Sequence, residues 1–423
     1  MPKIRTVSDI VAWRMCLGCG ACFWACKEGR IQLHNFLDEG IRPIVKPGDC
    51  GSCRDCLKVC PTLSCNFSLE NRAHEGPFSP SFQKKWGPIL AIWEGHAKDP
   101  EIRFKGASGG VLTALSLFCL EKGGMRGILH IGPCPENPLH NITRLSRTGE
   151  ELFYACGSRY SPASLCDGLG LIEDAPGPCA IIGRPVEIGA TQNAMALSPT
   201  LKEKVGIRMS FFCAEAPSTR GTLELIKMFG LSEGDLAQLR YRGHGWPGEF
   251  VVVKRGDSEP SVRLSYRESW GFLQRYRPWA SQLWPDGGGE LADITCGDPW
   301  YREPDGKDPG SSLVIARTRR GRLLVEEAIR EGYLELKPAE PWKLERSQWG
   351  LLQKKGSVWG RRLALRTLGL PVGRFPGMAL FPVWLTLPRK EKLKSMLGTY
   401  RRILSRGLFR PLTLVHPPAR GRP

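Results

Sequence analysis

Two copies of one cysteine pattern lie within the first 60 residues of the chain. Each copy has the spacing C-x2-C-x2-C-x3-C, and a proline follows the second copy only. This spacing suits a 4Fe–4S cluster, because three thiolates on a tight loop reach one cluster while the fourth reaches its neighbour. We therefore predict a two-cluster module with crossed ligands. One cluster would be held by Cys16, Cys19, Cys22 and Cys60, and the other by Cys50, Cys53, Cys56 and Cys26.

A pair of zinc sites is the competing interpretation of these cysteines. Structural zinc usually takes C-x2-C pairs, without a third cysteine in the same run. The duplicated run of four is more specific to iron–sulfur clusters, although Lys27 stands where a proline would follow the first copy. The other eight cysteines have no disulfide-like rhythm, and many free thiols beside cluster ligands indicate a reducing compartment.

Hydropathy indicates the cellular compartment of the chain, and net charge indicates its possible partners. No stretch approaches the roughly 20 apolar residues of a membrane span, and the N-terminus has no apolar core of a signal peptide, so we expect a cytoplasmic protein. The net charge is +18, and the segment Arg389–Pro423 holds ten Lys or Arg residues against one Glu. Such a surface could meet an anionic membrane or an acidic electron carrier. No motif of a nucleic-acid-binding fold is present, so we expect no nucleic-acid partner.

The 423 residues divide into four regions. Residues 1–70 form the two-cluster, ferredoxin-like module. Residues 86–170 and 171–340 form the two parts of a mixed body of the α/β or α+β class. Residues 341–423 form a basic C-terminal tail with an amphipathic helix. The length is sufficient for two or three domains with a sizeable core.

Local patterns predict several elements. Leu33–Val45 should supply a hairpin between the two cysteine runs. Pro88–Trp93 predicts a strand, and the apolar run Val111–Leu120, which ends at Lys-Gly-Gly, predicts a buried helix. Ser312–Thr318 predicts a strand that continues through a turn at Arg319–Gly321 into a helix and a further strand.

The C-terminal helix has one apolar face at helical spacing. We expect this face to dock on the body and leave a solvated basic rim; attachment to a membrane surface or to a partner protein is the alternative. The apolar positions are Leu393, Met396, Leu397, Tyr400, Ile403 and Leu404.

Clusters followed by an α/β body suggest a flavin. Clusters pass single electrons, organic reductions need electron pairs, and a flavin exchanges both. Ser108-Gly109-Gly110, just before the predicted helix, is a candidate phosphate or ring site, because free N–H groups at a helix start favour an anion. Ser108 could equally be a plain N-cap. The chain has neither G-x-G-x-x-G after a strand nor a Walker A motif.

Two further loops are candidates for the flavin site. The segment Tyr241–Gly248 is either a tight hairpin or a loop lying on a flat aromatic ligand. The segment Ala292–Trp300 forms a short apolar turn in our prediction, flanked by carboxylates that serve as caps or ligand contacts. The candidate residues are Arg242, Gly243, His244, Gly245, Trp246, Asp293 and Asp298.

Five motifs in order resemble the coenzyme F420 hydrogenase/dehydrogenase beta subunit family over roughly residues 10–340. They are Ala107–Gly110, Gly157–Tyr160, Phe212–Gly221, Gly243–Gly248 and Ala292–Asp298. The resemblance implies an FAD-containing iron–sulfur oxidoreductase that exchanges electrons with coenzyme F420, a ferredoxin or another substrate. It also implies flavin contacts at Ser108–Gly110, Arg159, Tyr160 and the Gly243–Gly248 loop.

The chain departs from this family's pattern at three cysteine positions. Many relatives carry a Pro-Cys pair where Pro185-Val186 stands, and a C-x2-C pair where Ser281 and Trp284 stand. Cys213 is retained. The departure predicts that a thiolate site in the body of relatives is absent from this chain.

Two functions remain open at this point. The first is a flavin-dependent reductase or dehydrogenase acting on a small molecule, with no catalytic acid assigned. The second is a non-catalytic electron-transfer subunit that feeds a partner redox subunit and uses its basic tail for docking. A flavin band in the visible spectrum would favour the first function.

Overall fold

The computed structural model describes residues 2–46, 48, 52–68, 76–304 and 307–414. Of the eight predicted cluster ligands, Cys50 lies outside the described residues. No described helix has both the length and the apolar character needed to cross a membrane.

The N-terminal module consists of short helices around a hairpin. The predicted hairpin is confirmed, with strands that pair antiparallel from Ile31 opposite Val45 to Phe36 opposite Gly40. Gly20 precedes the second helix at φ +86°, where a side chain would collide with the Asp167 backbone nitrogen at 2.7 Å. The module therefore packs closely against the body. Its elements are α1 Val7–Ala12, α2 Ala21–Ala25, β1 Ile31–Phe36, β2 Gly40–Val45 and α3 Asp55–Lys58.

The body is built on one eight-stranded mixed sheet, to which both predicted body segments contribute strands. The helices in this region are α4 Pro80–Trp86, α5 Pro100–Lys105, α6 Val111–Glu121, α7 Gly149–Tyr154, α8 Leu169–Glu173, α9 Pro185–Leu197, α10 Pro199–Lys204, α11 Thr219–Lys227, α12 Tyr266–Leu273 and α13 Arg319–Arg330. The strands are β3 Ala91–Ala97, β4 Ile128–Pro133, β5 Asn141–Ser146, β6 Cys179–Gly183, β7 Val205–Phe211, β8 Leu236–Arg240, β9 Glu249–Lys254, β10 Val262–Ser265, β11 Ile294–Gly297, β12 Ser312–Ala316 and β13 Leu334–Pro338.

The strand order of the large sheet is β13-β3-β12-β11-β7-β6-β4-β5, and β8–β10 form a separate antiparallel sheet. The four central strands β11, β7, β6 and β4 are parallel. Both faces of the sheet are covered. In β6, for example, Ile181 joins the core shared with α9 and the cluster module, whereas Ala180 joins the core shared with α6 and α13.

Two predicted elements differ from the structure. Ala292–Trp300 is not a turn around an apolar centre, because its middle forms β11 between β7 and β12. Ile294, Thr295 and Cys296 are all buried. Because this strand is covered on both faces, its sequence lacks the alternation of apolar and polar residues that normally identifies a strand. Arg319–Gly321 is not a turn either. It is the first turn of α13, and the Thr318 side chain caps it by accepting the Gly321 N–H.

The C-terminal region continues the fold as four helices, α14 Pro341–Ser347, α15 Trp349–Thr367, α16 Leu380–Thr386 and α17 Arg389–Ser405. The predicted helix is present in α17, but only part of the predicted docking face is buried, since Ile403 is buried whereas its leucines are exposed. Ser395, Thr399 and Ile403 are the buried residues of α17. Close approach is made possible by Gly360 of α15, where a side chain would meet the Ser395 hydroxyl at 2.1 Å. Apolar residues of the predicted face are left exposed: Leu393, Leu397 and Leu404.

Candidate functional site

The carboxyl ends of the parallel strands open into a cavity of about 770 Å³. Arg184 follows β6, Phe212 follows β7 and Asp298 follows β11, and all three line this cavity. Ligands in open α/β sheets bind outside the carboxyl ends of the strands, because the loops there converge. The volume lies within the range of small-molecule and cofactor sites. This cavity is therefore the candidate binding site of the chain.

The first turn of α6 forms one side of the cavity. Gly110, at φ +71°, precedes the helix, and a side chain there would lie 2.6 Å from the Ile102 carbonyl oxygen. Ser108 is not the N-cap: its hydroxyl donates to the Ser311 carbonyl at 2.5 Å and lies 3.0 Å from Ser312 Oγ. Within the described part of the chain, no side chain caps α6. The start of the helix is thus available to an anionic group.

An ion pair between buried Arg242 and partly buried Asp298 fixes the loops that carry these two predicted residues. The guanidinium donates to both carboxylate oxygens, at 2.6 and 3.0 Å, and also to the carbonyls of Ala107 and Pro247. Although burial alone would lower it, the Asp298 carboxylate raises the pKa of Arg242 well above its ordinary value. Trp246 Nε1 donates to the same carboxylate at 2.9 Å. Arg242 therefore joins three loops at the cavity wall.

Aromatic rings form the wall next to this ion pair. Tyr266 and Trp300 stack with centroids 5.1 Å apart and an interplanar angle of 13°. Tyr160 and Trp270 pack together at 4.8 Å, and all four rings line the cavity. Such a wall suits a flat ligand. Tyr266 and Trp270 were not predicted as site residues, although their i, i+4 spacing after the capping box of α12 places both on one face of that helix.

The structure brings six of the twelve predicted cofactor residues to the cavity lining: Ser108, Gly110, Arg159, Tyr160, Arg242 and Asp298. Gly109 lies behind the lining, where its N–H donates to Ser312 Oγ at 2.9 Å. Arg159 reaches the lining with its guanidinium already donating to the Pro138 and His140 carbonyls.

The Gly243–Trp246 loop packs on α5 instead of lining the cavity. The Gly245 N–H donates to the Phe104 carbonyl at 2.9 Å, and the ring of exposed His244 lies 5.2 Å from that of Phe104. The contribution of this loop is the Trp246 contact with Asp298. Its Gly243, His244 and Gly245 are placed away from the lining.

Asp293 lies at the opposite end of β11 from Asp298. Its carboxylate accepts the Arg208 backbone N–H at 2.8 Å, an Arg320 N–H at 2.6 Å and the Thr318 hydroxyl at 2.8 Å. Although burial would raise it, the two guanidinium groups lower the pKa of Asp293. Asp293 therefore links β7, β11 and α13 and does not join the cavity.

A second buried charge cluster, which sequence analysis missed, lies where β6 and β7 end. Arg184 donates to Glu187 at 2.7 Å and to Glu215 at 3.2 Å. Although burial would lower it, the two carboxylates raise the pKa of Arg184. Glu215 has a positive φ of +81°, and its Oε1 has no hydrogen-bond partner in the described part of the chain. All three side chains line the cavity.

The cysteine module contacts the body beside this charge cluster. The Cys19 carbonyl accepts the Cys166 N–H at 2.8 Å, and the Cys166 thiol lies 3.4 Å from the Glu187 carbonyl oxygen. Cys19 packs against the core that the module shares with α9, whereas the predicted ligands that pack against the core of the module are Cys16, Cys22, Cys26, Cys56 and Cys60. Cys19 therefore links the ligand set of the first predicted cluster to the body.

The thiols of Cys16, Cys19, Cys22 and Cys60 are electrostatic neighbours. Burial, followed by these neighbouring sulfurs, raises the pKa of Cys22; burial also raises the pKa of Cys60 to about 11. Binding iron would therefore release protons from thiols that are neutral without it. No set of His, Cys, Asp or Glu side chains among the described residues is arranged to hold a single metal ion.

Comparisons with known proteins match three stretches of the chain. A "4Fe-4S dicluster domain" model matches residues 15–63. Two models of the "Coenzyme F420 hydrogenase/dehydrogenase, beta subunit", one for its N-terminal and one for its C-terminal part, match residues 92–169 and 178–341. The last match ends at the start of α14.

Curated relatives carry related names. Coenzyme F420 hydrogenase subunit beta of Methanothermobacter thermautotrophicus is 26% identical over 67% of this chain and 98% of its own length. F420-dependent formate dehydrogenase 1 subunit beta of Methanococcus maripaludis is 24% identical over 59% of this chain and 62% of its own length. A chain of the F420-reducing [NiFe] hydrogenase complex from Methanosarcina barkeri shares the fold, with a TM-score of 0.54, 21% identity, and coverage of 69% of this chain and 97% of that one.

Proposed function

Because the chain belongs to the coenzyme F420 hydrogenase/dehydrogenase beta subunit family, we propose that it is an iron–sulfur flavoprotein oxidoreductase. Two 4Fe–4S clusters would be held by the eight N-terminal cysteines, and FAD would occupy the cavity. The electron-exchange partners would be a ferredoxin or a partner redox subunit on one side and an organic substrate or coenzyme F420 on the other.

The residues around the cavity fit FAD. The uncapped first turn of α6 and the buried Nζ of Lys354, which has no hydrogen-bond partner among the described residues, would receive phosphate. The wall that contains Tyr266 and Trp300 would receive a flat ring system. FAD, when bound, supplies both one-electron and two-electron chemistry. Arg242 would hold the adjoining loops in place, because its donors are already directed to Asp298 and to backbone carbonyls.

The observation that carries this proposal is the short connection between the cysteine module and the cavity. Cys19 bonds to Cys166 through the backbone, and Cys166 contacts Glu187, whose side chain lines the cavity. No solvent layer separates the three residues, since Cys166 and Glu187 are each at most 1% exposed. A cluster at the first site would therefore adjoin the flavin chamber. This contact would be unnecessary for a free ferredoxin module.

Photoreduction of the anaerobic full chain tests the proposed function. We expect a flavin band above the broad cluster absorbance, and bleaching of that band when reduced ferredoxin or reduced F420 is offered separately, with NAD(P)H as a third donor. The matched control is protein with iron removed by chelation, in which ferredoxin should lose its effect. Bound clusters without flavin after gentle purification would contradict the flavoprotein assignment.

Iron analysis is expected to find about eight irons per chain, the content of two cubanes. The three positions where relatives carry body cysteines are buried here, with Val186 and Ser281 at 0% and Trp284 at 1% exposure. The Trp284 ring packs against Phe67 and Phe375, so an indole ring takes up space at one of these positions. A content of about twelve irons, measured with acid-labile sulfide on reconstituted protein, would show a third cluster and contradict this prediction.

A non-catalytic electron-transfer subunit is the second candidate function. It is favoured by the exposed leucines of α17, Leu393, Leu397 and Leu404, which are 59–65% exposed. Lys394 and Arg401 are exposed on the same helix, so this surface combines apolar and basic groups as a docking surface would. A stable complex that accepts electrons only through its partner would favour this candidate.

A further inference from the structure

The lining of the cavity carries an excess of positive charge. It contains eight Arg or Lys residues against four Asp or Glu residues. Half of the eight come from α15 and α17, which lie beyond the end of the matched family segment at residue 341. These four residues, here called the C-terminal cations, are Lys354, Arg361, Lys394 and Arg402.

Lys354 is one of the C-terminal cations whose charged group is buried. Its Nζ is shielded from solvent and has no hydrogen-bond partner among the described residues. Burial is the main cause of its lowered pKa, and nearby Arg277 and Arg361 lower it further, against Glu215 and the Cys213 thiol. Each of these neighbours also lines the cavity. The ammonium group therefore faces the cavity without a counter-ion that contacts it.

Two guanidinium groups add to the positive charge around Lys354. Arg361 Nε and Arg402 Nε are buried without hydrogen-bond partners in the described part of the chain. Burial, together with Arg402 and Arg277, lowers the pKa of Arg361 to about 10. Buried cations that repel one another cost stability, and proteins keep such groups where a ligand supplies the opposite charge.

The adjacent Lys355, also on α15, is buried but has hydrogen-bond partners. Its Nζ donates to Glu290 at 2.7 Å and to the carbonyls of Lys84 and Lys85 at 3.2 and 2.9 Å. It does not line the cavity. Lys355 therefore stabilises the fold through its contacts, whereas Lys354 has an ammonium group, unpaired within the described residues, that a ligand could contact.

We propose that Lys354, with Arg361 and Arg402, forms an oxyanion-binding subsite that recognises a phosphate or carboxylate group of the ligand in the cavity. Guanidinium groups match these oxyanions with paired N–H donors, and an ammonium group adds a point charge. The subsite rests on the proposed function in one respect, namely that the cavity is the ligand chamber. α15 and α17 would then complete the chamber and select for acidic ligands.

Inorganic pyrophosphate, titrated into the iron–sulfur-loaded full chain by calorimetry, tests the subsite. We expect one saturable site in the unmodified protein and about tenfold weaker binding in Lys354→Met, from the loss of a charge-assisted contact. Lys355→Met carries the same change in net charge and should bind pyrophosphate as the unmodified protein does, while melting at a lower temperature. Lys354→Met should melt at an unchanged or higher temperature.

Lys390→Met, an exposed substitution on α17, is the second charge-matched control if Lys355→Met does not fold. Equal binding by Lys354→Met and the unmodified protein, or no saturable binding, would overturn the subsite. Repeating the titration with FAD added identifies the source of the oxyanion. Competition by FAD assigns the subsite to the cofactor phosphates, and unchanged pyrophosphate binding in protein that has bound FAD assigns it to the substrate. Absence of FAD binding would overturn the flavoprotein proposal alone, since the pyrophosphate comparison needs no flavin.

Discussion

Replacing Asp298 with alanine is expected to lower the free energy of unfolding by about 3–5 kcal/mol, the usual cost of leaving one member of a buried ion pair alone. Arg242, which is 3% exposed, would lose both carboxylate contacts and remain buried as an uncompensated cation. Trp246 would lose the acceptor of its indole N–H. Urea denaturation of the full chain under argon, followed by tryptophan fluorescence, measures the change.

The double variant Arg242→Met/Asp298→Ala is the matched control for this prediction. Because it removes both charges, it should recover a large part of the stability lost in Asp298→Ala. Flavin content, measured on the same samples, should fall in both variants, since Arg242 holds the loops of the cavity wall. A single variant as stable as the unmodified protein would show that the ion pair does not support the fold.

Replacing Cys19 with serine is expected to reduce the iron content from about eight to about four per chain and to slow flavin reduction strongly. In the crossed assignment, Cys19 belongs to the cluster whose ligand loop contacts the body core. Cys26, in the same sequence run, belongs to the other cluster and packs within the module. Cys26→Ser should therefore lose the same amount of iron.

The two serine variants differ in what remains beside the flavin. With reduced methyl viologen, a small donor that can reach either cluster, Cys26→Ser should keep faster flavin reduction than Cys19→Ser, because its remaining cluster adjoins the cavity. Stopped-flow absorbance under argon measures both rates, and the single-cluster iron content confirms that the variants are comparable. Equal rates, or the reverse order, would contradict the proposed position of the first cluster.

Local sequence was sufficient for elements whose pattern lies within a few residues. A hairpin was predicted at Leu33–Val45 because a polar turn separates two strand-like segments, and the observed hairpin begins at Ile31. Helix α6 was predicted because an apolar run lies between glycine signals, and it begins at Val111 as expected. Strand β11 was missed, since burial on both faces removed the alternation that the prediction relied on.

The docking face of α17 shows what a hydrophobic pattern along one helix cannot predict. The hydrophobic pattern favoured a face of six apolar residues, of which Ile403 is buried and the leucines are exposed. The helix also packs through Ser395 and Thr399, because Gly360 allows α15 to approach closely. A helical pattern specifies which residues share a face, and the partner surface decides which face is buried. The partner here is an element about 35 residues away, whose shape no local window contains.

The cysteine spacing, read from the amino-acid sequence alone, predicts the type of cluster, because three ligands of a cubane lie on one short loop and the fourth comes from the other run. The amino-acid sequence also contains the glycine segments whose resemblance identified the family. The meeting of Arg184, Asp298 and Lys354 around one cavity, and the exclusion of Asp293 from it, could be seen only in the three-dimensional fold. These residues come from strand ends and helices that are far apart along the chain, so their proximity depends on the strand order of the sheet and on the packing of α15 and α17.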